Sequence, residues 1–272
     1  MNVYLCETIA IYNLKEALNI CLLQCDLHWE DALKNRTQID TYLARVTGVD
    51  IILLPELFST GFSVASTHLA EKMDGETLIW MKTLSEKKKT VLCGSIMIED
   101  KRNIYNRLLW VEPNGRVLHY DKRHLFSLIE EDKHFTAGTK RLIIDYEGWK
   151  ICPMICYDLR FPVFARNDVN YDLLLFLSNW PNPRIAAWDT LLKARAIENQ
   201  AYVIGLNRVG TDGFNAQYPG HSQVIDPDGH CISFAPEYKV GLVEVTLSKN
   251  YLIRCRKRYP FLSDRDIFMI TD

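Results

Sequence analysis

The 272-residue sequence lacks the features that mark several large protein classes. Its eight cysteines form no C-x-x-C pair and its seven histidines show no spacing suited to zinc, so the pattern predicts no metal site and no cofactor. No apolar run is long enough to cross a bilayer. A formal net charge of −2, with Lys and Arg spread along the chain, gives no basic surface for nucleic acid. We therefore expect binding to neither membranes nor nucleic acid.

The N-terminus and the cysteines indicate the compartment. The first 20 residues lack the basic segment and the uninterrupted apolar segment of a signal peptide. Most of the cysteines lie inside hydrophobic runs, as reduced cytosolic thiols do. These features predict a cytoplasmic protein.

Short apolar segments alternate with segments of helical periodicity, which is typical of an α/β fold. Strands are expected at 19–25, 50–56, 90–98 and 171–180, helices at 29–47, 76–89, 161–169 and 186–200, and hairpins at Asn114-Gly115 and within 141–156. No linker rich in Pro, Gly or Ser divides the chain. We expect one domain over 18–246, with an N-terminal extension of residues 1–17 and a C-terminal arm of residues 247–272.

Two charged residues follow expected strands, where reactive groups of α/β proteins are commonly found. Glu56 lies in "LLPELFSTGFS". Partial burial beside Leu57 and Phe58 would suit a general base, and a solvated loop carboxylate is an equal alternative. Lys122 lies in "VLHYDKRHLF". A surface lysine is the usual explanation, whereas a buried ammonium is a strong donor to an oxyanion.

A third candidate, Cys156, stands where the strand "KICPMIC" gives way to "YDLRFP". Free cysteines are often buried and inert, which is the role we expect for Cys152 on the same strand. Beyond Cys156, Pro162 indicates the first turn of a helix, whose peptide N–H groups and dipole would point toward the sulfur and lower the pKa of the thiol. Cys156 is therefore a candidate nucleophile.

In this order, Glu56, Lys122 and Cys156 resemble the Glu-Lys-Cys triad of the nitrilase, or carbon–nitrogen hydrolase, superfamily. The resemblance spans about residues 18–246 and rests on the motifs "LPELFSTGF", "YDKRHLF", "CYDLRFP", "NWPNPR", "ARAIENQAYV" and "GHSQVIDPDG". It is closest to the omega-amidase branch, whose members hydrolyse the side-chain amide of 2-oxoglutaramate or 2-oxosuccinamate.

This resemblance implies an α-β-β-α sandwich that pairs through its helical faces into a four-layer homodimer. It also implies two-step acyl transfer without a metal. Glu56 would be the general base and Cys156 the nucleophile. Lys122 and the backbone N–H of Tyr157 would donate to the oxyanion.

Further charged residues of the motifs are interpreted in the same way. Glu131, seven residues before Gly138, matches the second glutamate of the family, which orients the catalytic lysine and the substrate; Glu130 is adjacent, so the match carries a one-residue ambiguity. Asp158 and Arg160 are expected to pair with each other or with neighbouring chain.

The expected substrate is a small-molecule amide with a remote carboxylate. Arg184 in "SNWPNPRIAAW" would hold that carboxylate while Trp180 and Phe62 enclose the carbon chain, and a surface arginine is an equal alternative. The triad does not separate amides from nitriles, N-carbamoyl amines or deaminated peptide amides, because each passes through a thioester. A redox protein that uses Cys156 with Cys152, and a catalytically silent binding module, are alternatives of other classes.

Overall fold

The computed structural model describes residues 15–270, which form two six-stranded sheets, a two-stranded sheet and flanking helices. In chain order the strands are β1 (Ala17–Gln24), β2 (Ile51–Leu53), β3 (Val91–Asp100), β4 (Asn103–Val111), β5 (Val117–Asp121), β6 (Ile144–Tyr146), β7 (Trp149–Ile155), β8 (Leu173–Ser178), β9 (Tyr202–Asn207), β10 (Val209–Thr211), β11 (Gln217–Pro219), β12 (Gln223–Ile225), β13 (Cys231–Phe234) and β14 (Gly241–Ser248). The α-helices are α1 (Ala32–Leu43), α2 (Glu76–Lys88), α3 (Glu131–His134), α4 (Pro162–Ala165), α5 (Ile185–Asn199) and α6 (Lys249–Arg258).

The two large sheets share a pattern of three parallel strands with antiparallel neighbours. The first sheet has the order β14-β1-β2-β3-β4-β5, in which β1, β2 and β3 are parallel. The second has the order β13-β12-β9-β8-β7-β6, in which β7, β8 and β9 are parallel. Parallel neighbours require crossover connections, which here contain α1, α2, α4 and α5. The carboxyl ends of the parallel strands therefore meet at one edge of each sheet.

Alternate residues of β1 belong to two different cores. Leu18, Ile20 and Leu22 pack in a cluster with side chains of the second sheet. Cys21 and Leu23 pack in another cluster with side chains of α1 and α2. Because the strand is buried on both faces, its sequence is a continuous apolar run instead of an alternating one. The layers follow the order helices, sheet, sheet, helices, as the α-β-β-α prediction requires.

Several elements are shorter than their sequence patterns predict. The first helix covers Ala32–Leu43 within the expected 29–47, and the side chain of Asp31 caps it by accepting from the backbone N–H of Lys34. The helix expected over 161–169 is the single turn α4, and a 3₁₀ turn over Cys156–Arg160 precedes it. Strand β2 ends at Leu53, two residues before a proline that has no N–H for a sheet.

The expected terminal segments are described only in part. Residues 1–14 of the predicted extension lie outside the described residues, and β1 begins at Ala17. Within the predicted C-terminal arm, Leu252 of α6 is buried in the main core, and Lys249 and Arg256 both contact the carboxylate of Asp172. The division at 246 stays a prediction. No helix within 15–270 has the length and apolar character to cross a bilayer.

Candidate active site

The three triad residues meet at the seam between the two large sheets. Glu56 follows β2 and Lys122 follows β5 in the first sheet, whereas Cys156 follows β7 in the second. The exposed fraction of each is small, at 0% for Glu56, 1% for Lys122 and 8% for Cys156. Lys122 and Cys156 line a cavity of about 750 Å³. Three loops far apart in the sequence thus form one site.

Three residues donate hydrogen bonds to the carboxylate of Glu56. Its Oε1 accepts from Asn106 Nδ2 at 2.9 Å and from Lys122 Nζ at 3.0 Å. Its Oε2 accepts from the backbone N–H of Asn179 at 2.8 Å, and the side-chain amide of Asn179 donates to the carbonyl of Glu56 at 2.8 Å. Asn179 follows β8, so these bonds join the two sheets. Glu56 is therefore held in one orientation at the seam between the two sheets.

Lys122 lies between two carboxylates. Its Nζ is 3.0 Å from Glu56 Oε1, 3.0 Å from each carboxylate oxygen of Glu131, and 5.2 Å from the ring centre of Phe62. Burial alone would lower the pKa of this ammonium, but the charges of Glu131 and Glu56 outweigh it and raise the pKa of Lys122 above its ordinary value. The side chain is thus a fixed cation at the cavity wall.

The structure places the adjacent Glu130 and Glu131 in different environments. Glu131 is fully buried, and it accepts from the backbone N–H of Phe126 at 2.6 Å as well as from Lys122. Burial raises the pKa of Glu131 although Lys122 opposes that effect. Glu130 is exposed and pairs with Lys133. The contact with Lys122 therefore belongs to Glu131, as the motif spacing predicts.

Gly138 allows the loop that carries Glu131 to return to β5. Its N–H donates to the carbonyl of Lys122 at 2.9 Å. A Cβ at Gly138 would lie 2.1 Å from the carbonyl oxygen of Asp121, so the close approach requires glycine.

Cys156 is the first residue of the 3₁₀ turn that directly follows β7. Its φ of 42° lies in the left-handed region, which residues other than glycine seldom adopt. Such a conformation costs about 1–3 kcal/mol and is typical of functional sites, including the turns that present nucleophiles. The Sγ atom lies 3.9 Å from the carbonyl oxygen of Asn179.

The expected lowering of the Cys156 pKa is wrong. Burial and then the charge of Glu56 raise the pKa of this thiol well above its ordinary value, and the opposing charge of Lys122 does not compensate. The expected helix is only the single turn α4, which begins at Pro162. The resting group is thus a thiol that needs a base to remove its proton. Cys152 is fully buried, and burial raises the pKa of its thiol to about 12, which agrees with an inert role.

The four residues expected to contact the substrate all line the cavity; they are Phe62, Tyr157, Trp180 and Arg184. The guanidinium of Arg184 lies 5.0 Å from the ring centre of Phe126, which is another wall residue. The carbonyl of Arg184 accepts from the indole N–H of Trp180 at 2.7 Å. The loop "NWPNPR" thus contributes both an apolar wall and a cation.

A second arginine also faces the cavity. Arg160 is exposed, lines the cavity, and lies 5.0 Å from the ring centre of Trp180. Arg208, in contrast, is fully buried, and its Nη2 donates to Asp26 Oδ1 at 2.6 Å. Among the described residues, the arginines that line the cavity are therefore Arg184 and Arg160, whereas Arg208 pairs with Asp26.

Sequence reasoning missed other members of the site. Asn106 shows only as a polar residue in a strand pattern, and Asn179 lies in a motif without being singled out. Asp212 and Tyr218, on the β10–β11 hairpin, line the cavity without any motif to mark them. Among residues 15–270, no cluster of three or more His, Cys, Asp or Glu side chains could hold a metal ion.

Comparison with known proteins identifies the family. Residues 19–257 match the model of the carbon–nitrogen hydrolase family. The omega-amidase YafV of Escherichia coli strain B is 42% identical over 93% of this chain and 98% of its own length. The 2-oxoglutaramate amidase of Bacillus subtilis is 29% identical over 90% of this chain and 96% of its own. The crystal structure of XC1258 from Xanthomonas campestris, a CN-hydrolase superfamily protein with an arsenic adduct in its active site, has a TM-score of 0.92 and 40% identity, covering 94% of this chain and 100% of that one.

The chain is therefore a hydrolase of carbon–nitrogen bonds, and it belongs to the carbon–nitrogen hydrolase family. The resemblance to this superfamily and the nitrilase-type α/β sandwich, both predicted from the motifs, are confirmed.

Proposed function

We propose that this hydrolase is an omega-amidase that converts 2-oxoglutaramate or 2-oxosuccinamate to the dicarboxylic acid and ammonia. One observation carries the proposal: Lys122 and Cys156 line a single cavity, and Lys122 Nζ lies 3.0 Å from Oε1 of the buried Glu56. The 42% identity to a bacterial omega-amidase over most of both chains supports the choice within the family.

In the first half-reaction, Glu56 takes the thiol proton while Cys156 Sγ attacks the amide carbon. The raised pKa of the Cys156 thiol supports this order, because a thiol that is protonated at rest must lose its proton during attack. The tetrahedral oxyanion accepts from Lys122 Nζ and from the backbone N–H of Tyr157. Glu56 then passes the proton to the departing nitrogen, which leaves as ammonia.

In the second half-reaction, Glu56 takes a proton from water, and the resulting hydroxide attacks the thioester carbon. The same two donors stabilise the second oxyanion. Collapse releases the carboxylic acid, and the proton held by Glu56 returns to Cys156. Glu131 contacts Lys122 throughout and holds the ammonium in place.

The walls of the cavity support a substrate with an apolar chain and a remote carboxylate. Phe62 and Trp180 enclose the carbon chain, and Arg184 binds the carboxylate from the loop that follows β8. A charge-assisted contact of this kind contributes about 1.5–3 kcal/mol. Arg184→Ala should therefore raise the KM for 2-oxoglutaramate about 10- to 100-fold, with a smaller effect on kcat.

Ammonia release by the purified enzyme tests the substrate directly. The wild type should hydrolyse 2-oxoglutaramate far faster than a short uncharged amide, and Arg184→Ala should lose most of that preference. Arg160→Ala is the matched control, because Arg160 is a second cation of the same cavity. Faster hydrolysis of the uncharged amide by the wild type would contradict the omega-amidase assignment. Equal losses by Arg184→Ala on both substrates would give Arg184 a structural role.

We further propose that the protein is a cytoplasmic homodimer that pairs through its helical faces. Apolar side chains on the outer helices support the pairing, since Val163, Ile197 and Ile253 are 57%, 54% and 51% exposed in the single chain. A thiol nucleophile supports a reducing compartment. Light scattering of the purified protein tests the dimer, and a monomer mass at working concentration would contradict it.

A further inference from the structure

One buried carboxylate spans the turn that presents Cys156. Asp158 is fully buried. Its Oδ2 accepts from the backbone N–H of Ile155 at 3.0 Å. This bond links the residue directly before the nucleophile Cys156 with the second residue after it. A left-handed conformation at Cys156 persists only where its surroundings hold it, and this bond is one such restraint.

The same carboxylate also contacts the segment that carries the catalytic lysine. Asp158 Oδ2 accepts from the hydroxyl of Tyr120 at 2.7 Å. Asp158 Oδ1 accepts from the backbone N–H of His124 at 3.1 Å and lies 2.7 Å from its Nδ1. Tyr120 and His124 stand two residues before and two after Lys122. One side chain thus connects the nucleophile of the second sheet with the cation of the first.

The imidazole of His124 is held for this contact. Its ring stacks on Phe161 with a centroid distance of 3.7 Å and an interplanar angle of 5°, and its edge meets the ring of Phe164 at 5.2 Å. Of the two expected alternatives, Asp158 bonds to the neighbouring chain at Ile155, whereas Arg160 lies over Trp180. Asp158 is therefore satisfied by hydrogen-bond donors on both sides of the seam.

We propose that Asp158 is a positioning residue that sets the location of Cys156 relative to Lys122. The proposal rests on the proposed roles of those two residues in the hydrolysis. A displacement of about 1 Å between reacting groups lowers a rate about 10²-fold. Loss of the restraint should therefore lower kcat much more than it changes KM, because the wall residues Phe62, Trp180 and Arg184 lie outside this turn.

Asp158→Asn in the full-length protein tests this inference, with Asp172→Asn as its matched control. Asp172 is also a buried aspartate that accepts from a backbone N–H, that of Lys150, but it lies at the opposite end of β7 from Cys156. Both variants should unfold at a lower temperature than the wild type. Asp158→Asn alone should lose kcat, by about 10²-fold, with KM within about threefold of wild type.

A second variant and a second measurement keep the test decisive. Tyr120→Phe removes one hydroxyl from Asp158 and keeps the buried ring, so it replaces Asp158→Asn if that variant does not fold; its kcat should fall about tenfold.

Alkylation of Cys156 by iodoacetamide reports on the nucleophile without any substrate, so it remains informative if the wild type does not hydrolyse 2-oxoglutaramate. In both variants the pH profile of alkylation should differ from that of the wild type, because Cys156 moves relative to Glu56 and Lys122, whose charges act on the pKa of its thiol. A wild-type kcat and alkylation profile in these variants, or equal kcat losses in Asp158→Asn and Asp172→Asn, would overturn the inference.

Discussion

Replacement of Lys122 by methionine probes the chemistry and the stability of the site together. Methionine keeps much of the side-chain length but has no ammonium, so Glu56 and Glu131 lose the cation that they share. Removal of one partner from a buried ion pair costs about 3–5 kcal/mol of the free energy of unfolding. Loss of one oxyanion donor lowers kcat about 10²- to 10³-fold. We expect both effects in Lys122→Met.

The stability loss should depend on pH through the two remaining carboxyl groups. Burial already raises the pKa of Glu131 from its ordinary 4.5, and without Lys122 the main opposing effect is lost, although the backbone N–H of Phe126 still donates to this carboxylate. A carboxyl whose pKa is higher in the folded than in the unfolded protein binds its proton more tightly when folded. The folded state therefore loses stability as pH rises from about 4.5 through the higher folded pKa. The deficit of Lys122→Met should accordingly be smaller near pH 5 than near pH 8.

The double variant Lys122→Met/Glu131→Gln separates stability from catalysis. It removes one of the two facing charges, so it should recover about 2 kcal/mol of unfolding free energy. Its kcat should stay low because the oxyanion donor is still missing. Urea unfolding and ammonia release can be measured on the same preparations. A Lys122→Met enzyme with wild-type kcat would refute the oxyanion role, and a stability deficit independent of pH would refute the coupling to the carboxylates.

Two further substitutions test the covalent mechanism. Cys156→Ala should abolish ammonia release because the thiol forms the intermediate, and it should change the urea midpoint little. Cys152→Ser should keep most of the activity. Turnover near wild type in Cys156→Ala would contradict a thioester. Glu56→Gln should be nearly inactive. In this variant the rate of Cys156 alkylation by iodoacetamide should still increase with pH above 9.0, the ordinary thiol pKa, because burial raises the pKa of this thiol. Near-normal turnover in Glu56→Gln with an unchanged pH–rate profile would assign the base to another group.

The sequence predicts best what a single segment determines. The strands β1, β3 and β8 are found because a strand buried on both faces is a continuous apolar run. Glu56, Lys122 and Cys156 are candidates because each follows an expected strand within a recognisable motif, and the structure brings all three to the seam between the sheets. The helix after Cys156 is overestimated, since Pro162 is compatible with a first helical turn but does not specify how many turns follow.

What the sequence does not predict is the packing of one sheet against the other. The bond from Asn106 to Glu56 joins positions 50 apart, and the bonds from Asn179 to Glu56 join positions 123 apart. Periodicity within a segment reports which face of a strand is buried, but it does not report which distant donor meets that face. The expected pKa of Cys156 failed for the same reason, because burial and the charge of Glu56 both depend on the packing of the first sheet against the second. The proposed base, cation and nucleophile, Glu56, Lys122 and Cys156, follow different strands of two sheets, so a change that shifts the seam should impair catalysis even where it touches none of the three.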